Sequence, residues 1–351
     1  MRAAEQVFVG IPGPELDAES AALLSTLRPG GVVLFKRNIQ DEEQLNELVT
    51  ALRQMLPDVV LSIDAEGGRV DRLQEVVGPA PAASRLARFA PSYSLQAGRW
   101  VAQALRLFDI DVDFAPVVDL NRGAVDNALD GRYFGPSPAE VIPRALAFLR
   151  GLYSGGAGGC IKHFPGLGGA GEDTHFRTSA VYLPAEEMRV DLEPFEALAQ
   201  PAGAVMVSHA LYPAFDPAMR PATLSPAIIG GLLRGRLGFD GLVFSDDMEM
   251  KALDEWGDLP ERCEASFAAG CDVLLVCHTL AALPEIAARL EHPALAERLA
   301  TANRRLDTYR QRLLTLRTAQ DYINFMRENS HGERLDRIRQ ALEQLQESVK
   351  E

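Results

Sequence analysis

The sequence predicts a (β/α)8 barrel, the TIM-barrel architecture of the α/β class, followed by a helical C-terminal extension. Three observations predict it. Eight short apolar segments recur along the chain, amphipathic helical segments separate most of them, and polar or charged residues directly follow several of them. Strands that alternate with helices pair in parallel through right-handed crossovers. Eight such units form a barrel, which takes about 250 residues before insertions.

Each predicted strand is a short run of β-branched and other apolar residues. The eight segments are 7–11, 31–35, 59–64, 112–116, 159–163, 204–209, 242–247 and 272–277. Predicted helices lie at 15–27, 41–55, 95–108, 139–153, 225–237 and 260–269. The competing architecture is an open doubly wound sheet, which requires G-x-G-x-x-G after the first strand. The residues at 10–14, Gly-Ile-Pro-Gly-Pro, lack that spacing.

The character of the chain changes near residue 294, so we divide it into a catalytic barrel, residues 1–293, and an extension, residues 294–351. Segments 293–316 and 333–349 are charged, glycine-poor and helix-forming. We expect them to pack on the barrel or to mediate association. The oligomeric state is left open.

Composition excludes several classes of partner. The chain has 351 residues, a formal net charge of −14 and 47% hydrophobic residues. Because phosphates are held by Lys and Arg, this charge argues against a nucleic acid or an anionic membrane as partner. The four cysteines form no C-x-x-C pair, and no secretory leader or membrane-spanning segment is recognisable. We therefore expect a cytoplasmic protein without membrane attachment.

The loop from Lys162 to His175 concentrates ionisable groups. It contains Lys162, His163, Asp173 and His175, together with one proline and four glycines that keep it out of helix and sheet. Asp173 and His175 are two apart, so in an extended loop both side chains can face the same way. A carboxylate bonded to an imidazole fixes its tautomer and tunes a proton donor near neutral pH. This loop is predicted to be catalytic.

Two further loops carry acids and arginines after predicted strands. Asp64 and Arg72 flank a Gly-Gly turn after the third strand, and Arg132 lies in a polar loop after the fourth. Carboxylates and guanidinium groups that converge on a concave site bind hydroxyl-rich ligands, because sugars offer neighbouring donors and acceptors. These residues indicate a carbohydrate site.

Asp246 and Asp247 directly follow the seventh predicted strand. Adjacent strand residues point to opposite faces, so one of the two should enter the barrel mouth, and strand geometry leaves open which one. The pair could hold a divalent ion. The histidines near strand ends nevertheless lack the spacing of dedicated zinc sites, and we predict neither a metal nor a cofactor.

Taken together, these residues resemble glycoside hydrolase family 3, and within it the single-barrel bacterial β-N-acetylglucosaminidases. The matching segments, which follow the family's order between about residues 5 and 290, are 63–70, 114–119, 130–134, 162–166 with 173–175, 221–225 and 238–248.

The resemblance implies a retaining double displacement without metal or cofactor. It assigns Asp246 as the nucleophile, His175 as the proton donor and later the base, and Asp173 as the residue that orients His175. The family residues that grip the terminal sugar match Asp64, Arg72, Arg132, Lys162 and His163. We therefore predict an exo-acting β-N-acetylglucosaminidase that releases N-acetylglucosamine from muropeptide fragments in cell-wall recycling.

Two positions depart from the family pattern. Leu167 stands where the family carries a histidine, and His278 stands where it tends to carry asparagine. Alternative hypotheses are a family relative that cleaves other β-glycosides or transfers the sugar to phosphate, a Schiff-base lyase that uses Lys162, and a non-catalytic sugar-binding protein.

Overall fold

Eight parallel strands form the centre of the molecule, as the sequence predicts. The computed structural model describes residues 2–123, 129–170, 179–328 and 330–350, without the side chain of residue 328. The strands are β1 (Val7–Gly10), β2 (Gly31–Leu34), β3 (Val60–Ile63), β4 (Val112–Asp113), β5 (Gly158–Gly159 and Ile161–Phe164), β6 (Ala204–Val207), β7 (Leu242–Asp247) and β8 (Val273–Val276).

The sheet closes into a barrel within strand β5. Gly158 and Gly159 pair in parallel with β4, whereas Ile161 and Phe164 pair in parallel with β6. Between these two pieces lies only Cys160, so the first and last members of the hydrogen-bonded order belong to one continuous strand. The predicted TIM-barrel fold is confirmed.

Helices surround the barrel and connect its strands. They are α1 (Ala18–Leu27), α2 (Glu42–Met55), α3 (Gln74–Val77), α4 (Ala83–Leu86), α5 (Pro91–Leu107), α6 (Pro138–Ser154), α7 (Ala185–Ala202), a π-helix (Ala227–Arg236), α8 (Leu259–Ala269), α9 (Leu283–Leu290), α10 (Ala296–Leu316), α11 (Gln320–Glu328) and α12 (His331–Ser348). The predicted helices are found within a few residues of their expected ends. Among the described residues, no helix combines the length and apolarity that crossing a membrane requires.

Short polar side chains fix several helix starts. Asp17 and Asp41 each accept a hydrogen bond from a first-turn amide, at 2.7 and 2.9 Å. Asp258 with Glu261, and Ser330 with Glu333, form reciprocal capping boxes. These caps satisfy amides that a helix leaves without an internal partner, so the sequence determines these starts locally.

Aromatic side chains fill the interior of the barrel. Phe244 of β7 makes edge-to-face contacts with Phe8 of β1 and Phe114, with ring centroids 5.3 and 5.4 Å apart. The ring centroid of Tyr309, in α10, lies 6.2 Å from that of Phe244, so Tyr309 covers one end of the barrel interior. Helix α10 therefore belongs to the barrel packing, and the boundary at residue 293 stays a prediction.

Two buried aspartates lie at the amino-terminal ends of strands. Asp111 precedes β4 and Asp272 precedes β8, and each also accepts a strand amide at 3.0 Å. Each contacts three guanidinium groups, those of Arg53, Arg106 and Arg317 for Asp111 and those of Arg234, Arg298 and Arg305 for Asp272. Burial favours the neutral acid, but the arginines hold the pKa of Asp111 below its ordinary value. Both clusters brace the end of the barrel opposite the polar strand ends.

The extension packs against the barrel through helix α12. Its apolar face, which includes Leu342, is buried. Arg339 donates to the carbonyl oxygen of Val76 at 3.0 Å, and Gln346 donates to that of Pro79 at 3.2 Å. Both carbonyl groups belong to the segment that follows Arg72, so α12 supports a loop whose base lies at the polar end of the barrel.

We expect Leu342→Ala to lower the free energy of unfolding by about 2–5 kcal/mol, because it leaves a cavity beneath α12. Denaturant unfolding followed by circular dichroism measures this. The control is Glu343→Ala, at the neighbouring exposed position, which should change it by no more than about 0.5 kcal/mol. Equal stability of the two variants would show that α12 is not docked.

Candidate active site

The predicted site residues that the structure describes lie at the carboxyl ends of the strands. Asp64 follows β3, Lys162 and His163 belong to β5, and Asp246 is the penultimate residue of β7. In barrels of this kind the carboxyl ends of all strands open on one face, where loops converge. Asp173 and His175 lie outside the described residues.

Lys162 occupies the centre of a buried ionic cluster. Its Nζ lies 2.7 Å from Asp64 Oδ1 and 2.6 Å from Glu66 Oε1. Arg132 binds Glu66 in a bidentate manner, with both nitrogen–oxygen distances at 2.7 Å. The cluster thus joins residues that lie far apart in the sequence.

The cluster pairs two cations, Lys162 and Arg132, with two carboxylates, Asp64 and Glu66. Burial favours the neutral amine, yet the carboxylates of Asp64 and Glu66 raise the pKa of Lys162 above its ordinary value. Burial likewise favours a neutral Glu66, but Arg132 and Lys162 hold its pKa well below the usual range. A Schiff-base lysine needs a neutral amine with a lowered pKa, so the environment of Lys162 opposes the lyase hypothesis.

Asp64 keeps contact with solvent although its neighbours are buried. Its side chain is 18% exposed, whereas that of Lys162 is 3% exposed. One carboxylate oxygen faces Lys162 and the other lies 3.8 Å from Arg72 Nη2. A carboxylate accepts several hydrogen bonds, so Asp64 can still receive hydroxyl groups of a ligand while the two cations hold its orientation.

His163 is held by a different acid. Its Nδ1 lies 2.7 Å from Asp119 Oδ2, and its own amide donates to the same oxygen at 3.1 Å. The other oxygen of Asp119 accepts the amide of Leu167 at 2.7 Å. Because a carboxylate accepts, Nδ1 carries a proton, and Asp119 fixes both the imidazole and the start of the glycine-rich loop. The Leu167 side chain, at the position of the family histidine, is buried in the hydrophobic core.

Asp246 and Asp247 differ in their contacts. Oδ1 of Asp246 accepts the amide of Asp247 at 2.8 Å, and Oδ1 of Asp247 accepts the amide of Glu249 at 3.1 Å. The backbone carbonyl group of Asp247 accepts a hydrogen bond from Nε2 of His209 at 2.8 Å. The strand end that carries both acids is therefore fixed by backbone and imidazole contacts.

Carboxylates at the ends of several strands influence the buried thiol of Cys160. Burial raises the pKa of its thiol, Lys162 opposes this, and the carboxylates of Asp64, Asp113 and Asp246 raise it further. These carboxylates belong to the ends of β3, β4 and β7. Asp246 lies at the same end of the barrel as the Lys162 cluster, because Ser245 of β7 and Phe164 of β5 are both in register with Val207 of β6.

Sequence reasoning assigned no role to two residues that hold this site together. Glu66 lies two positions after Asp64 in the same motif, and this spacing on an extended chain can direct both acids to one side. Asp119 is the last residue of the matching segment 114–119. In both cases the missing information was the partner, because Arg132 and His163 approach only in the folded chain. Within the ranges that the structure describes, no group of three His, Cys, Asp or Glu could hold a metal ion.

Comparisons with known proteins agree with this geometry. The glycosyl hydrolase family 3 N-terminal domain matches residues 4–316. A β-hexosaminidase of Stenotrophomonas maltophilia strain K279a is 39% identical over 306 residues, which cover 84% of this chain and 89% of the relative.

Solved structures also resemble this chain. A family 3 β-N-acetylglucosaminidase from Paenibacillus sp. FPU-7 superposes with a TM-score of 0.88 at 28% identity, covering 99% of this chain and 68% of that one. NagZ from Neisseria gonorrhoeae, in complex with N-trifluoroacetyl-D-glucosamine, superposes with a TM-score of 0.75 at 31% identity, covering 90% and 98%. The chain described here belongs to glycosyl hydrolase family 3 and is a glycoside hydrolase.

Proposed function

We propose that the protein is an exo-acting, retaining β-N-acetylglucosaminidase. The observation that carries this proposal is that the Lys162 cluster and Asp246 lie at the same end of the barrel in a family 3 chain. The β-hexosaminidase relatives and the neighbour in complex with an N-acylated glucosamine support the choice of sugar. We further propose muropeptide fragments in the cytoplasm as the natural substrate, in cell-wall recycling.

In the proposed mechanism, the terminal sugar is held at the mouth by Asp64, Arg72, Arg132, Lys162 and His163. Asp246 attacks the anomeric carbon and forms a glycosyl ester, while His175 protonates the departing oxygen. His175 then removes a proton from water, which attacks the ester and restores Asp246. Retaining glycosidases usually employ two carboxylates. Here a histidine oriented by Asp173 takes the place of the second.

A panel of chromogenic β-glycosides tests the substrate. The N-acetylglucosaminide should be hydrolysed far faster than the glucoside, and added inorganic phosphate should leave the product as free sugar. Preference for the glucoside would favour another specificity within the family, and accumulation of sugar phosphate would favour a phosphorylase. Binding of N-acetylglucosamine without turnover of any glycoside would favour a sugar-binding protein.

We expect Arg72→Ala to reduce kcat/KM by about 10- to 100-fold through loss of a charge-assisted hydrogen bond to the sugar. Its side chain is partly exposed, and Asp64 keeps its pairing with Lys162. The melting temperature should therefore change little. In contrast, Lys162→Ala leaves Asp64 without its buried cation and Glu66 with Arg132 alone, and it should destabilise the fold by about 3–5 kcal/mol. Near-wild-type kinetics of Arg72→Ala would make Arg72 a surface charge.

His175→Ala should slow glycosides with poor leaving groups by about 10²- to 10⁴-fold, because these need a proton from a general acid. Aryl glycosides with acidic phenols should lose much less. Steady-state kinetics on both substrate types measure the ratio, and Asp173→Ala should show the same dependence more mildly. Equal losses on the two types would argue against His175 as the donor.

Asp246→Ala should lower activity by several orders of magnitude, since it removes the covalent route. Asp247→Ala, the matched control one position along, should cost less. A fluorinated N-acetylglucosamine-type inactivator should leave a sugar ester on Asp246, which peptide mass spectrometry locates. A label on Asp247 would reverse the assignment, and inversion at the anomeric carbon would remove the covalent mechanism.

A further inference from the structure

His278 is a departure from the family pattern that the proposed mechanism does not use. It follows β8, and its side chain is 60% exposed. Its Nε2 lies 3.5 Å from Asp247 Oδ2, within ion-pairing distance. The imidazole also stacks on the ring of Phe35, which follows β2, with centroids 6.1 Å apart and an interplanar angle of 27°. Contacts with Asp247 of β7 and with Phe35, which follows β2, therefore hold the His278 ring beside Asp247, the residue next to the candidate nucleophile Asp246.

The backbone of this segment is held independently of the ring. Oε2 of Glu249 accepts the amide of His278 at 2.5 Å and that of Thr279 at 3.2 Å. One oxygen of Glu249 is thereby engaged by the chain itself. The imidazole faces Asp247. Because Glu249 binds the backbone amides of His278 and Thr279, we expect substitution of the His278 ring to leave the backbone after β8 in place.

Acidic groups predominate around this point. Asp246 and Asp247 end β7, Glu249 lies two residues further along the chain, and Asp247 is largely buried. Burial, together with the neighbouring carboxylates of Glu249 and Asp246, raises the pKa of Asp247 to about 6. The hydrogen bond from the Glu249 amide and the proximity of His278 act in the opposite direction and lower this pKa. Among the described residues, the basic groups that act on Asp247 include His278 and Arg37, and the Cys277 side chain hydrogen-bonds to the Asp247 carboxylate.

Arg37 is already engaged. It donates to the carbonyl oxygen of Cys277, donates from Nε to that of Ile11 at 2.9 Å, and lies 4.5 Å from the ring centroid of Phe35. The Cys277 thiol is buried, and its pKa is raised well above the usual value, so it stays neutral. His209 donates to the backbone carbonyl group of Asp247. Within the part of the chain that the structure describes, His278 is the basic side chain within ion-pairing distance of the Asp247 carboxylate.

We propose that His278 is a positioning residue for the candidate nucleophile: when protonated, it forms an ion pair with Asp247 and offsets the negative charge that Asp247 places beside Asp246. This inference rests on the proposed role of Asp246. Two adjacent carboxylates disfavour each other's ionisation, and a nucleophilic carboxylate must be ionised to attack. The pair would therefore keep Asp246 ionised towards lower pH.

A cation stabilises the charged form of a nearby carboxylate, so removing it moves carboxylate titration to higher pH. In His278→Asn, the acid limb of kcat/KM should move to higher pH by about a few tenths of a unit, the order expected for an ion pair whose histidine is largely exposed. His278→Lys should restore the wild-type limb. The control His292→Asn removes another exposed imidazole, at the start of the Pro293–Leu295 helix, and should leave the limb in place.

The assay uses an aryl N-acetylglucosaminide with a good leaving group, so that the acid limb is not dominated by the proton donor. Raising salt to 1 M, where the Debye length is about 3 Å, should shrink the difference between wild type and His278→Asn. An unchanged limb in His278→Asn overturns the proposal. So does a raised KM confined to bulky aglycones, which would make His278 and Phe35 a surface for the leaving group.

A readout that does not depend on turnover separates this inference from the proposed function. With carboxyl-labelled aspartate, carbon-13 NMR should show Asp247 titrating at higher pH in His278→Asn than in the wild type, and Asp247→Asn identifies its signal. If the Asp247 titration does not move, the inference fails whatever the substrate proves to be. If it moves but Asp246→Ala remains active, the pair exists and Asp246 is not the nucleophile, so the inference fails at its premise.

Discussion

Closure of the sheet within β5 is the constraint on which the rest of the molecule depends. Gly158 and Gly159 pair with β4, and Ile161 and Phe164 pair with β6, so one strand completes the ring. The same strand carries Lys162 and His163. Because their backbone is fixed by neighbours on both sides, these side chains are presented to the mouth from a rigid base.

Burial strengthens the ion pairs around Lys162, and it also requires that every charge in the cluster has a partner. A charge removed from water is destabilising unless it is paired and hydrogen-bonded. Glu66 meets this condition by bridging Arg132 and Lys162, and Asp64 meets it from the other side of the amine. A polar ligand then encounters donors and acceptors that are already oriented, so little ordering remains to be done on binding.

The two ends of the barrel use similar chemistry for different purposes. At the amino-terminal ends, Asp111 and Asp272 are each surrounded by three arginines and fully buried, which braces strands against helices. At the carboxyl ends the acids are shared between fewer cations, and Asp64 stays partly exposed. Acids that stabilise the fold are enclosed by their cations, whereas an acid that meets a ligand must keep part of its surface open.

The sequence by itself determined the alternation of strands and helices and the placement of Asp64, Lys162 and Asp246 at strand ends. These features depend on local periodicity and on the chemistry of short segments, which a sequence displays directly. It also indicated the family, since several short motifs occur in order.

Only the tertiary structure decided which charges meet. Glu66 and Arg132 are 66 residues apart, and Asp119 and His163 are 44 apart, so no local pattern reveals either pair. The helix α11, between two predicted helical segments, and the contact of His278 with Asp247 were likewise decided by packing. The physical reason is that ion pairing and burial depend on distance in space, and closing the barrel brings together strand ends that are remote along the chain.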